Sequence, residues 1–418
     1  MNRNGWLLFL SFFFIGWVGF VQTHSQIYYR IGILFGVLLV ISAVWSRFSL
    51  SGVQVTVRNR SNKARVGEVF DQTVQVENRS WLPVLYLEIA DRSGMEGGTG
   101  SRLITWIGPR QSRSYTSHIR LVKRGIFTVG HKLLRAGDPL RLFLREKPIQ
   151  FPQNLLVYPS YQLLQPHLPI PGILRDGRRK HKRSVEPSVQ FSEIRQYVPG
   201  DDLKRVHWLS SRRLGKLVVK EFDQFLAHEV WIVLDADKTV HWAMEESTAV
   251  ADPWIFAKKD ANKLPNDSFE VAVHIAATLC HLLTITNVPF GFITNAAGVP
   301  RLAVDTGNRH ESKVMELLAL AHSSVARGLG HLVHESLPSI APGSIVYCIT
   351  PQALPDVGPI LRHYLEKKIS PYFFNVCSDV MPSTTIGAIP ICPISPNEDI
   401  RLKMESFLQN IEGGTENG

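Results

Sequence analysis

At 418 residues the chain exceeds one ordinary domain of about 100–200 residues, so its length indicates two or more folded units. Its composition, 44% hydrophobic and 20% charged, excludes wholesale disorder. The net charge of +10 makes anionic surfaces candidate partners but does not distinguish lipid headgroups, nucleic acid and acidic protein. The four cysteines form no CxxC pair and are interpreted as thiols of a reducing compartment: Cys280, Cys348, Cys377 and Cys392.

Two apolar runs open the chain, Trp6 to Val21 and Ile27 to Trp45, with a short polar turn between them. Each run is close to the roughly 17–25 residues that cross a bilayer as a helix. A single signal peptide is the alternative, but it leaves the second run unexplained, and no small-residue cleavage site separates the runs. Residues 1–48 are therefore predicted to form two transmembrane helices arranged as a hairpin in the lipid bilayer.

Basic residues lie mainly outside this hairpin. Arg3 precedes the first run, and a group of basic residues follows the second: Arg47, Arg58, Arg60, Lys63 and Arg65. Because positive residues favour the cytoplasmic side, both termini are predicted inside. The sequence thus predicts a multi-pass protein of the plasma membrane with the bulk of the chain in the cytoplasm.

Residues 49–160 have strand character. Val53 to Val57 and Val69 to Val76 alternate apolar with polar side chains, as strands do when one face is buried. Further short apolar runs follow, with Gly, Asn, Ser and Pro between them: 84–89, 114–121, 126–129 and 155–158. This spacing predicts a β-sandwich-like segment with a structural or protein-binding role.

A basic linker and a polar segment occupy residues 161–228. Arg175 to Arg183 contains six Arg or Lys in nine residues. Without interleaved aromatic side chains, this run is interpreted as a solvated loop rather than a nucleic-acid site. Anionic lipid is a further alternative, since the chain is expected to be tethered at a membrane.

Strands and helices alternate over residues 229–395. Val230–Leu234, Phe290–Thr294, 344–350 and 372–376 are predicted strands, and helices are predicted from a cap at Asp267 to about 283, at 311–326 and at 357–367. This order predicts a parallel sheet covered by helices on both faces, a Rossmann-like α/β domain. Residues 396–418 are predicted to form a helix and a tail. Ligands of such sheets bind beyond the carboxyl ends of strands, which makes candidates of three residues: Asp235, Asp237 and Thr239.

The segment from 191 to 217 resembles the signature of domain-of-unknown-function family fifty-eight (DUF58). That pattern contains an Arg, an aromatic residue, Pro-Gly-Asp-Asp, a Trp, and an Arg near a Gly. The matching residues are Arg195, Tyr197, Pro199, Gly200, Asp201, Asp202, Trp208, Arg212 and Gly215. Upstream, Arg124-Gly125, Gly137-Asp138-Pro139 and Leu142-Phe143 are similar to the usual lead-in of the family.

The resemblance implies a prokaryotic membrane protein in which a helical hairpin and a β-rich segment precede a von Willebrand factor A-like domain. It also implies partners, a MoxR-type AAA+ ATPase and a membrane protein with a transglutaminase-like domain, in the assembly or maturation of other proteins. It implies no known reaction. Many A-like domains hold Mg²⁺ through an Asp-x-Ser-x-Ser loop, a Thr from a second loop and an Asp from a third.

The first loop here reads Asp235-Ala-Asp237-Lys-Thr239, so it could supply two or three oxygen ligands. The third loop follows Thr350 and lacks the expected Asp, and Lys238 adds a positive charge close by. Weak magnesium binding is therefore the expectation, with no other cofactor.

The signature turn has two interpretations. Asp201 and Asp202 can pair with Arg195, Lys204 and Arg212 as a buried clamp, which is favoured, or serve as a catalytic acid pair. No catalytic residue is assigned. The sequence thus favours a membrane-anchored scaffold or partner-binding protein. The alternative is a metal-dependent hydrolase that uses carboxylates at the sheet edge together with this turn.

Overall fold

The structure is a computed structural model that describes residues 5–93, 101–165, 190–197, 206–223, 229–243, 267–324, 328–352, 362–378, 384–386, 389–396 and 398–415. These residues form two compact units, one that ends at Ser160 and one that begins at Tyr161.

Two long apolar helices begin the first unit, α1 (Gly5–Thr23) and α2 (Gln26–Phe48). They match the two predicted runs, and the turn between them is confined to two residues. Both are long and apolar enough to span a bilayer, and only 6% and 11% of their residues are buried by protein. Apolar side chains left this open are compatible with insertion into lipid.

Small residues set the spacing of the two helices. A Cβ at Gly16 would lie 2.7 Å from the backbone nitrogen of Gly32, so only glycine permits this approach. Phe35 of α2 packs against Phe12 in a stacked arrangement with ring centroids 5.0 Å apart. Close approach at small residues is typical of helix pairs in membranes.

Two sheets follow in the first unit. The first has the order β1-β3-β6 and is antiparallel, and the second has the order β2-β8-β7-β4-β5. Side chains of both sheets share one apolar core, for example Val74 from the first sheet and Leu134 from the second. The strands are β1 (Val53–Asn59), β2 (Lys63–Arg65), β3 (Val69–Asn78), β4 (Leu87–Asp91), β5 (Arg102–Ile104), β6 (Ser112–Arg120), β7 (Gly125–Gly137) and β8 (Leu144–Tyr158).

The second unit contains a two-stranded antiparallel pair and a seven-stranded sheet. The pair is formed by β9 (Gln190–Gln196) and β10 (Val218–Asp223), with the short helix α3 (Trp208–Leu214) between them in the chain. The large sheet has the order β13-β12-β11-β14-β15-β17-β16. Its strands are β11 (Val230–Leu234), β12 (Phe290–Thr294), β13 (Leu302–Asp305), β14 (Ile345–Thr350), β15 (Ser370–Val376), β16 (Thr384–Ile386) and β17 (Ile389–Ile394).

Helices accompany this sheet, among them α4 (Ser268–Ile285), α5 (Asn308–Leu320), α6 (Leu329–Ser336) and α7 (Ile400–Thr415). The expected strand-helix alternation and a parallel sheet are confirmed, because β12, β11, β14, β15 and β17 all run parallel. The edge strands β13 and β16 pair antiparallel with their neighbours, which the sequence did not predict.

Helix α4 begins at the predicted cap. The Asp267 side chain accepts a hydrogen bond of 2.8 Å from the Phe269 N–H, which satisfies one of the free amides of the first turn. By length and composition this helix could also span a membrane, but 83% of it is buried within the protein. Its apolar surface is therefore used to cover the sheet.

Three sequence predictions differ from the structure or fall partly or wholly outside the described residues. Helix α5 ends at Leu320 rather than at 326, because Ala321 is extended and Ser324 pairs with the loop after β11. Of the helix predicted at 357–367, residues 362–366 are helical and the earlier part lies outside the described residues. The basic run 175–183 also lies outside them.

Candidate functional site

The middle of the large sheet is where its strand order reverses. From β11 the chain proceeds to β12 on one side, whereas β14 is followed by β15 on the other. In parallel sheets a crevice opens between the carboxyl ends of two such strands, and ligands bind there. The residues that follow Leu234 and Ile349 therefore define the candidate site.

Asp235 follows β11 and is completely buried. Its Oδ2 accepts a hydrogen bond of 2.8 Å from the Thr350 hydroxyl at the end of β14. Its Oδ1 accepts from Asn295 Nδ2, just after β12, and from the Asp237 N–H, both at 3.1 Å. The Asn295 Oδ1 in turn accepts from the Ala236 N–H at 2.6 Å. One carboxylate thus holds together the ends of three neighbouring strands.

The backbone of Asp235 is held as well. The His241 Nε2 lies 2.9 Å from the Asp235 carbonyl oxygen, and the His241 Nδ1 lies 2.9 Å from the Ser268 hydroxyl oxygen. A neutral ring that donates from Nε2 accepts from Ser268 at Nδ1, and the same hydroxyl oxygen accepts the Trp242 N–H. The loop after β11 is therefore fixed to the first residue of α4.

Asp237 is also buried, whereas Lys238 and Thr239 are exposed. The Asp237 Oδ1 accepts from the Thr239 N–H at 3.0 Å and from its hydroxyl at 2.9 Å. The backbone of this loop pairs with Ser324, whose N–H donates to the Ala236 carbonyl at 3.1 Å. The Ser324 hydroxyl is buried and has no hydrogen-bond partner among the described residues.

The oxygen atoms of this loop and its neighbours are a poor set of ligands for an intact magnesium site. Both oxygens of Asp235 already accept hydrogen bonds, and the third loop offers Thr350, which donates to Asp235, in place of a carboxylate. Within the described part of the chain, no three His, Cys, Asp or Glu side chains come together as a metal site. Among the described residues, the buried Ser324 hydroxyl is an oxygen beside this loop that has no hydrogen-bond partner.

The signature segment lies elsewhere in the second unit. Arg195 is on β9, where its backbone pairs with Val219 of β10. The Tyr197 N–H donates to the Leu217 carbonyl at 3.0 Å, and Gly215 ends α3 with a positive φ of 63°. Pro199, Gly200, Asp201 and Asp202 lie outside the described residues.

Two signature side chains are open to solvent. Trp208 is 66% exposed, and Arg212 on the same helix is exposed as well. The helix is fastened instead through Ser211, whose hydroxyl accepts the Val218 N–H at 3.0 Å. The exposure of Arg212 gives no support to a buried clamp, which stays a prediction for the two aspartates.

Reasoning from the sequence singled out Asp235, Asp237 and Thr239 and missed the side chains that surround them. Asn295, Ser324 and Thr350 contact this loop from three other segments. Two of them carry a recognisable signal, because each is a short polar residue at or just after the end of a buried strand.

Comparison with known proteins gives a partial match to one family model and a distant relative, and neither description names an activity. Residues 193–251 match the family model described as "Protein of unknown function DUF58". The chain is also 22% identical over 308 residues to the uncharacterised protein YeaD of Bacillus subtilis, covering 70% of this chain and 69% of YeaD. Both matches support the resemblance seen in the signature segment.

Similarity to solved structures is low. A CARDB domain from Pyrococcus furiosus, crystallised with two metal ions, matches 25% of this chain and 91% of its own length at 10% identity, with a TM-score of 0.18. The C-terminal domain of Wzt matches 27% of this chain and 75% of its own length at 10% identity, with a TM-score of 0.19. At these scores neither structure informs the function of this chain.

Proposed function

We propose that this chain is a membrane-anchored, cytoplasm-facing scaffold that binds a partner protein through the carboxyl edge of its seven-stranded sheet. In this proposal α1 and α2 form the membrane hairpin, and the second unit is a von Willebrand factor A-like domain. The strand order supports the assignment of the second unit as a von Willebrand factor A-like domain. Without the short strand β16, the strands run 3-2-1-4-5-6 across the sheet, with the third antiparallel at the edge.

The hydrogen bonding of Asp235 is the observation that carries the proposal. A general base or a metal ligand needs an oxygen that substrate or metal can reach, but the oxygens of Asp235 are buried and accept three hydrogen bonds. A docking edge needs instead a loop of fixed shape with accessible side chains. The exposed Lys238 and Thr239 next to this network fit that need.

The partner we propose is the one that the family resemblance implies, a MoxR-type AAA+ ATPase, with a transglutaminase-like membrane protein as a further component. The role would be in assembly or maturation of other proteins. Magnesium would bind weakly, since three or fewer protein oxygens leave water to complete the shell, and would assist docking rather than chemistry. The hydrolase alternative has no comparable observation in its favour.

Co-purification tests the proposal. The full chain with an affinity tag is recovered from native membranes, and the amount of MoxR-type ATPase that accompanies it is measured by mass spectrometry. Lys238→Glu reverses an exposed charge beside the proposed edge and should lower the recovered ATPase by about five-fold or more, because charge reversal at an interface disfavours association. Lys313→Glu, the same change on the exposed face of α5, is the control.

Equal recovery of the ATPase by wild type and the Lys238 variant would remove the docking edge from the proposal. Absence of the ATPase from every sample would remove this partner. Hydrolysis of a test substrate by the purified chain, lost in Asp235→Ala, would establish the enzyme instead.

A further inference from the structure

Two tryptophans of the first unit are unusually open. Trp81 is 78% exposed, on the loop that follows β3, and Trp106 is 48% exposed, on the loop that precedes β6. An indole ring is a large apolar surface with one polar N–H, and leaving it in water forgoes the gain from burial. Two such side chains on neighbouring loops therefore indicate an interaction surface.

Hydrogen bonds join the two loops into one platform. The buried side chain of Asn78 donates from Nδ2 to the Leu82 carbonyl at 2.8 Å and to the Gly108 carbonyl at 3.1 Å. Val84 and Ile107 exchange two backbone hydrogen bonds of 2.9 Å. These contacts lie on both sides of Trp81 and directly after Trp106, so the two loops that carry the tryptophans are fixed to each other.

This platform adjoins the end of α2. Gly52 comes four residues after the last helical residue, and its carbonyl accepts the Arg79 N–H at 2.8 Å. A Cβ at Gly52 would lie 2.6 Å from the Cβ of Ser80, so the Trp81 loop and the chain leaving the helix are in direct contact. Leu50 already belongs to the apolar core that the two sheets share. The connection leaves little length for the sheets to move away from the helix.

The same end of the hairpin carries two more tryptophans. Since Gly16 of α1 lies against Gly32 of α2 and the helices are antiparallel, the start of α1 is near the end of α2. Trp6 and Trp45 occupy those positions. Tryptophan is enriched where a membrane helix leaves the hydrocarbon, because its amphipathic ring sits at the level of the headgroups. Trp6 is exposed, whereas the Trp45 Nε1 is buried within the protein.

We propose that Trp81 and Trp106 insert into the headgroup region of the bilayer that holds the hairpin, so that the β-sheets of the first unit are docked on the membrane surface. This inference rests on the proposed insertion of α1 and α2. The continuity of the platform with the end of α2 selects lipid as the occupant. The exposed Arg110 and Arg113 beside the Trp106 loop favour anionic phospholipid.

Environment-sensitive labels at single cysteines test the inference. The full chain carries Cys377→Ser, because the other three native cysteines are buried. A fluorescent maleimide is attached at Trp81→Cys, at Trp106→Cys or, as the control, at Val69→Cys. Val69 is an exposed apolar residue at the opposite end of β3, about 30 Å away along ten strand residues. The proteins are reconstituted in vesicles of anionic phospholipid, with and without nitroxide at the headgroup.

We expect the nitroxide lipid to quench the labels at 81 and 106 about two-fold or more while the label at 69 stays bright, as interfacial positions require. Equal quenching at all three positions, or none at 81 and 106, would overturn the docking. If the fluorescence of the labels at 81 and 106 changes only with the protein-to-lipid ratio, the surface binds a second copy of the chain. That result would also overturn docking to lipid. Retention of each variant in membranes after alkaline carbonate washing tests the hairpin separately: a chain that washes off contradicts the anchor itself.

Discussion

At the scale of single residues, Asp235 shows how a candidate catalytic group can be a structural one. Its carboxylate connects Thr350, Asn295 and the amide of Asp237, which come from three separate places in the chain. A buried hydrogen-bond donor that loses its acceptor still carries the free-energy cost of its removal from water. The position of the residue at the sheet edge could be predicted from the apolar strand before it, but its side-chain partners Asn295 and Thr350 could not be assigned to it, because they are 60 and 115 residues away.

Replacing Asp235 with Ala should therefore destabilise the second unit. We expect a loss of about 2–4 kcal/mol in the free energy of unfolding, because two side-chain donors and one amide are left without their acceptor. Urea unfolding of the full chain in detergent measures it. Glu316→Ala, which removes an exposed carboxylate from α5, is the control and should change stability by less than about 0.5 kcal/mol. Unchanged stability of Asp235→Ala would show that the network contributes little.

At the scale of whole elements, the sequence predicted best where one local signal was enough. The strands β11 and β12 have the predicted bounds, because a continuous apolar run marks a strand buried on both faces. Strand β7 was predicted only for 126–129 but runs from Gly125 to Gly137. Its buried Lys132 breaks the apolar pattern and is accommodated by a 2.8 Å ion pair with Asp91 of β4. Burial acts to raise the pKa of Asp91, but hydrogen bonds and the charge of Lys132 lower it overall.

The short strands were missed for a related reason. β2 and β5 have three residues each, so they offer no period to detect, and their pairing with β8 and β4 is set by the rest of the sheet. Strand β13 has an alternating burial pattern, but the sequence analysis did not predict it, because its pattern is weaker than the apolar runs of the neighbouring strands. Topology of this kind depends on contacts between distant segments rather than on local composition.

The hairpin offers a prediction for an element pair. Gly16→Val should separate α1 from α2, because a Cβ at this position would meet the Gly32 backbone at 2.7–2.8 Å and backbone cannot rotate away. We expect a lower midpoint of thermal unfolding for the full chain in lipid nanodiscs. Ser11→Val introduces the same side chain at an exposed position of the same helix, where the native hydroxyl donates to the Leu8 carbonyl of the preceding turn, and should leave the midpoint nearly unchanged. Equal midpoints for both variants would mean that the close approach is not needed.

At the scale of the whole molecule, the orientation of the hairpin determines where both units are located. Basic residues flank the hairpin on its outer sides, with Arg47 in the last turn of α2, which favours termini in the cytoplasm. In a Cys377→Ser background, Gln22→Cys, at the exposed end of α1, should react with a membrane-impermeant maleimide in intact spheroplasts. Ser61→Cys, on an exposed position between β1 and β2, should react only after permeabilisation. The reverse pattern would place the sheets outside the cell. It would contradict both the reducing compartment expected for the cysteine thiols and docking to a cytoplasmic ATPase.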